Sequence, residues 1–116
     1  MHEKALLVVV LNKVELLDKL LSALNNAGIR GATVLHSIGM AHELADLEDS
    51  YVIGSLRAMF TSGHRENRTI FMVIDSAHIT DATQVIDDVI DLQKPDTGIL
   101  FALPVLFAAG ITEKER

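Results

Sequence analysis

Gly98-Ile99-Leu100-Phe101-Ala102-Leu103-Pro104-Val105 is opened by a glycine, closed by a proline and a valine, and contains no charged side chain. Successive side chains of a strand point to opposite faces, so an apolar residue at every position reads as a strand buried on both faces. Pro104 has no N–H to give a ladder, and the pairing is expected to stop there. Segments near Ala5, Ala32 and Thr69 have the composition to pair with this run, and two helical segments lie between them. The chain is expected to fold around this last strand.

Working outward, Ala5 to Leu11 is apolar at every position and rich in valine, which predicts a strand needing cover on both sides. Asn12 stands three residues before Glu15, an arrangement like a capping box, and is expected to open a helix. Val14, Leu17, Leu20, Leu21, Leu24 and Ala27 give that helix one apolar stripe, and Gly28 stops it. A turn then feeds a second strand in which Thr33 and Leu35 share one face and Ala32, Val34 and His36 the other. Residues 37–67 form a long connection too apolar for a plain linker, expected to hold short helices and to end in a solvated turn, Ser62 to Asn67. Thr69 to Ile74 is the third strand. Thr80 is expected to cap a second helix, Asp81 to about Leu92, with Ala82, Val85, Ile86, Val89 and Ile90 inward and Asp87, Asp88 and Asp91 on a solvated outer face.

The order β-α-β-β-α-β is that of a ferredoxin-like α+β sandwich, a four-stranded antiparallel sheet with both helices on one face. Two helices leave the opposite face of the sheet uncovered, although it is apolar in at least three strands. A patch of that kind marks an interface, and self-association is the expected solution.

The chain has 116 residues, enough for one domain with a real core. It has no cysteine, which removes disulfides, thiolate metal sites and a cysteine nucleophile together and fits a cytoplasmic setting. The apolar runs Ala5 to Leu11 and Ile99 to Ala109 are too short to span a bilayer, so neither membrane insertion nor a signal peptide is expected. A formal charge of -6 argues against nucleic acid as a partner, because that affinity comes mainly from Lys and Arg neutralising phosphates.

Two stretches together resemble the PII nitrogen-regulatory and PII-like signalling proteins. Gly28-Ile29-Arg30-Gly31-Ala32-Thr33-Val34 is similar to that family's G-I-x-G-x-T-V turn, and Gly98 to Val105 to its final G-x-x-F-x-x-P-V strand. Residues 37–67 stand where the family has its T-loop. The resemblance implies a homotrimer whose sheets face the threefold axis and whose clefts between subunits bind a small effector, commonly an adenine nucleotide. It also implies that the T-loop equivalent docks on a transporter or enzyme target. Thr33 matches the threonine lining the adenine pocket, Gly39 a glycine at the T-loop base, and Gly98 the second glycine of a phosphate-side G-D-G-K turn. The sequence departs from the pattern where Asp96 replaces the first glycine of that turn and Ile99 its lysine. The segment after Val105 also lacks the family's R-x-R pair. These losses remove charge-assisted contacts that hold a polyphosphate. Tyr51, flanked by Ser50 and Val52, does not reproduce the family's modified-tyrosine context.

Thr33, His36, Gly39, Arg57, Thr97 and Gly98 are therefore the candidate ligand-binding residues. Arg30, Arg65, Arg68 and Lys94 join Arg57 as cations available to an anion, against the ordinary role of isolated basic residues as solvated surface charge. Arg57 stands out for its apolar surroundings, Ile53 to Phe60. His42 and Asp46 lie one helical turn apart, but the segment lacks the second histidine of a zincin helix and is not read as a metal site. Asp75, Ser76 and His78 are close in sequence, yet a turn and helix entry explain them better than a triad. The leading expectation is a non-enzymatic PII-like protein binding a small anionic effector and regulating a partner through residues 37–67. The alternatives are a small ferredoxin-like enzyme acting on an apolar substrate and a CutA-type trimer binding divalent cations.

Overall fold

The computed structural model describes residues 3–39 and 66–111. Its strands are β1 (Lys4–Leu11), β2 (Thr33–Ser37), β3 (Asn67–Asp75) and β4 (Gly98–Val105), and its helices α1 (Leu17–Asn26) and α2 (Ile79–Ile90). The sheet is antiparallel throughout, in the order β2-β3-β1-β4. The expected short helices within the connection, together with Arg57, Arg65, His42, Asp46 and Tyr51, lie outside the described residues.

The strand at the heart of the fold is β1, not β4. It pairs along its whole length with β3 on one side and β4 on the other, and Leu7, Val9 and Leu11 are at most 1% exposed. β4 is an edge strand. Its inward Leu100 packs against the core, whereas Ile99, Phe101 and Leu103 are 58%, 44% and 47% exposed. Burial on both faces is therefore not met within one chain, because both helices pack on one side of the sheet. Nor does pairing stop at Pro104: the ladder runs through Ala5–Pro104 to Lys4–Val105. A proline is tolerated there because an edge strand offers positions whose N–H would face away from the ladder.

α1 contributes Leu20 and Leu24 to the core, and α2 contributes Ala82, Ile86 and Ile90. Leu17, Val85 and Val89 flank them, whereas Ala27 is exposed. The end of α1 follows the expectation. Gly28 adopts φ +92°, its N–H donates to the Asn25 carbonyl, and the Ile29 N–H reaches back to Leu24, which together form a Schellman closure.

The helix starts differ from the sequence reading. A 3-10 turn, Val14–Leu16, precedes α1, and Lys13 rather than Asn12 stands ahead of it with no side-chain cap. Asn12 is diverted by a tertiary partner: its side-chain oxygen accepts a hydrogen bond from Asn67 at 3.4 Å. Likewise a 3-10 turn, Ser76–His78, carries the chain into α2, which begins one residue before Thr80 and has no side-chain cap. At its far end Asp91 takes the left-handed conformation, and the Asp87 carboxylate accepts from the Leu92 N–H at 2.7 Å. Asp87 and Asp91 thus build the helix end, while Asp88 stays on the exposed face with Gln84 as partner. Asn67, expected in a solvated turn, starts β3 and is only 8% exposed.

Ile86 has no exposed surface and lies in the layer between α2 and the sheet. Ile86→Ala is expected to lower the unfolding free energy by about 2–5 kcal/mol. Denaturant unfolding at fixed protein concentration measures it, with a change at exposed Gln84 as the control.

Candidate functional site

The strand registers place three of the candidate residues at one end of the sheet. His36 pairs with Arg68, Arg68 with Leu11 and Leu11 with Gly98, so one row crosses all four strands from His36 to Gly98. Ser37, Asn67, Asn12 and Thr97 form the next level. There Ser37 Oγ donates to Asn67 Oδ1 and lies 2.8 Å from Thr69 Oγ1. Asn67 Nδ2 donates to Asn12 Oδ1, and the Asn12 N–H donates to the Thr97 carbonyl at 3.0 Å. This polar line closes the end of the sheet and explains how Asn67 is buried without leaving its amide unsatisfied.

His36 and Gly98 nevertheless stand on opposite edges. Three inter-strand gaps of about 4.8 Å separate them by about 14 Å. Thr33 is exposed on the β2 edge two residues from Leu35, and Gly39 follows β2 at the same end as His36. Thr97 is 1% exposed, and its hydroxyl donates to the Asp91 and Lys94 carbonyls at 3.2 and 3.1 Å. Its side chain fastens the turn that delivers β4.

That turn retains a glycine-like course despite its substitutions. Asp96 takes φ +63°, a left-handed conformation that aspartate tolerates better than most residues. Gly98 answers to a different constraint, since a Cβ there would sit 2.5 Å from the Val10 carbonyl oxygen. Ile99, in place of the lysine, points to the exposed face of the sheet.

The cations do not converge. Arg68 is 18% exposed at its side chain and donates to Glu66 Oε1 at 3.1 Å and to the Asn67 carbonyl at 3.2 Å. His36 Nδ1 lies 3.9 Å from the same Glu66 oxygen. Lys94 pairs with Asp91 at 3.6 Å beside Thr97. Arg30 lies at the other end of the sheet, where it lines a cavity with Asp75 and His78. Among the described residues no group of three or more His, Asp or Glu gathers to hold a metal, and no helix is long and apolar enough to cross a membrane. Sequence reasoning missed Glu66, Asn67 and Asn12. Only the strand register brings Glu66 beside His36, and nothing local marks it.

No family model matches the sequence, and no curated protein matches it. Solved structures similar in fold include the following two. One is the PII protein of Arabidopsis thaliana bound to citrate, with a TM-score of 0.63 and 19% identity over 90% of this chain and 78% of that one. The other is a functionally unknown protein from Pediococcus pentosaceus, with a TM-score of 0.65 and 10% identity over 96% of this chain and 100% of that one. The architecture is thus a PII-like, ferredoxin-like fold.

Asn67→Ala deletes the buried amide that joins the half-buried Ser37 and Asn12. It is expected to destabilise the protein by about 1–3 kcal/mol, with faster hydrogen exchange at the start of β3 as the local signature. Gly98→Val is expected to perturb the β1–β4 ladder before it affects any ligand, visible as lost protection of the Val10 and Leu11 amides.

Proposed function

We propose that this chain is a PII-like, non-enzymatic signalling protein. It assembles as a homotrimer, binds a small anionic effector in clefts between copies, and regulates a protein partner through residues 37–67. The observation that carries this reading is the row from His36 to Gly98. Its two ends belong to one level of the sheet but lie about 14 Å apart on open edges, too far for one small effector to touch both within a chain. Setting the β2 edge of one copy beside the β4 edge of the next brings the two ends together. The exposed apolar side chains Ile99, Phe101, Leu103, Val73 and Leu35 supply the surface that such an assembly buries.

The geometry also favours a compact polyanion over a long polyphosphate. Ile99 and the stretch Leu106-Phe107-Ala108-Ala109-Gly110 offer no cation, and among the described residues the cation on this row is Arg68, with His36 beside it. Both face Glu66. An incoming anion competes with that carboxylate, and displacing it acts directly on the residue where the connection rejoins β3. Effector occupancy is transmitted to the connection by this exchange. The citrate held by the Arabidopsis PII protein is a ligand of suitable kind, and adenine nucleotides are the second class to try.

Sedimentation equilibrium should give three times the 12.7 kDa chain mass, and Phe101→Asp should yield monomers. A monomeric wild-type chain at micromolar concentration would sink the reading. In calorimetric titrations with citrate and with ADP, Glu66→Gln is expected to tighten effector binding several-fold by removing the competitor, while His36→Ala and Arg68→Gln weaken it. Unchanged affinity in all three variants would remove the effector from this end of the sheet.

A further inference from the structure

The row of the sheet farthest from His36 and Gly98 runs Asp75–Lys4–Val105 and holds no β2 residue, because β2 begins only at Thr33, opposite Phe71. β3 therefore runs on from Met72 to Asp75 past the end of its neighbour. Residues of this stretch, of the α1–β2 connection and of the start of α2 line a cavity of about 470 Å³, with Met72 and Ala82, each 1% exposed, as its apolar floor. At the other edge of the same row the chain leaves β4. The two side chains that follow, Leu106 and Phe107, are 101% and 82% exposed, the highest values of any large apolar residue described.

We propose that Phe107 of one copy, with Leu106 beside it, seats in this cavity of the next copy. The inference rests on the ring of copies proposed above and names a contact that closes it at the end of the sheet away from the effector. A ring that sets β2 of one copy beside β4 of the next, all copies pointing the same way, and brings His36 level with Gly98 also brings Val105 of the next copy level with Asp75. The place that β2 leaves empty is then faced by the segment carrying Leu106 and Phe107. Neither cavity nor segment is needed to define the ring, yet both fall on one level. They lie on opposite edges of the sheet, so the contact is head-to-tail and closes only in a ring. Leu106 and Phe107 together offer on the order of 400 Å² of apolar surface, about half of the ~800 Å² that one side of a stable interface buries. Ile99, Phe101 and Leu103 on the preceding strand add to it. The contact uses the apolar floor and leaves the Lys4–Asp75 pair at the rim intact.

The test is a double-mutant cycle on assembly of the full chain, read by sedimentation equilibrium. Phe107→Ser is expected to raise the concentration of half-dissociation at least about tenfold. Gly31→Phe fills the cavity from its rim, where an added Cβ meets no atom within 4 Å, and is expected to weaken assembly similarly. Because both changes delete one contact, the two together should weaken assembly no more than either alone. A second measurement needs no destabilising variant. With Phe107 replaced by benzoylphenylalanine in a mixture of light and heavy isotope-labelled chains, photolysis is expected to join it to the Met72 or Ala82 peptide of a differently labelled copy. Cross-links formed within one chain, additive losses in the double variant, or assembly undisturbed by Phe107→Ser would each overturn this contact while leaving the ring standing. A wild-type chain that sediments as a monomer overturns the contact and the ring together.

Discussion

Two helices cannot cover two faces of a sheet, and the central strand of this sheet is apolar on both. β1 takes a partner on each edge and buries Leu7, Val9 and Leu11 under α1 and α2, so the helix-facing side is satisfied within the chain. On the other side Val8 is shielded by its neighbours at 4% exposure, while the strands around it leave Phe101, Leu103 and Val73 in water. Burial of apolar surface is the dominant favourable term in folding and in association alike. The same pattern that makes β1 the centre of the domain therefore makes the domain an unfinished object.

The edges complete that logic. β2 is five residues long beside a nine-residue β3, and β4 carries Pro104 near its end. Short and proline-bearing edges restrain indefinite sheet extension. The charges divide between the two ends of the sheet. Glu66, Arg68 and His36 gather where the connection rejoins β3, and Lys4, Asp75, Arg30 and Asp81 gather at the opposite end.

The fold class was legible because extended patterns survive averaging: the all-apolar runs of β1 and β4 and the helical stripe Ala82, Ile86, Ile90 each extend over several residues. Gly28 was legible for a local reason, since a left-handed residue after a helix has one favoured solution. The rank of the strands was not. An all-apolar run predicts burial on both faces, and Gly98–Val105 satisfies the same rule as Ala5–Leu11, yet only register and strand order decide which becomes the centre. The helix starts failed where tertiary bonding outbid a local cap, as when Asn12 turned to Asn67. For the candidate site, the sequence singled out Thr33, His36 and Gly98 but not the separation of His36 from Gly98, and Thr97, chosen as a ligand contact, has its hydroxyl committed to the turn that delivers β4. Glu66 was invisible because its importance lies entirely in what the register sets beside it.

The polar line from Ser37 through Asn67 and Asn12 to the Thr97 carbonyl runs across the strands rather than along them. It acts as a crossbar. Backbone ladders resist sliding of neighbours but yield readily to peeling at an end, and this is the end where the long connection leaves and re-enters the sheet. The crossbar links β2, β3, β1 and the turn before β4 at that end. A chain of only 116 residues thus carries a tie across its four strands, built from three side chains and one backbone hydrogen bond.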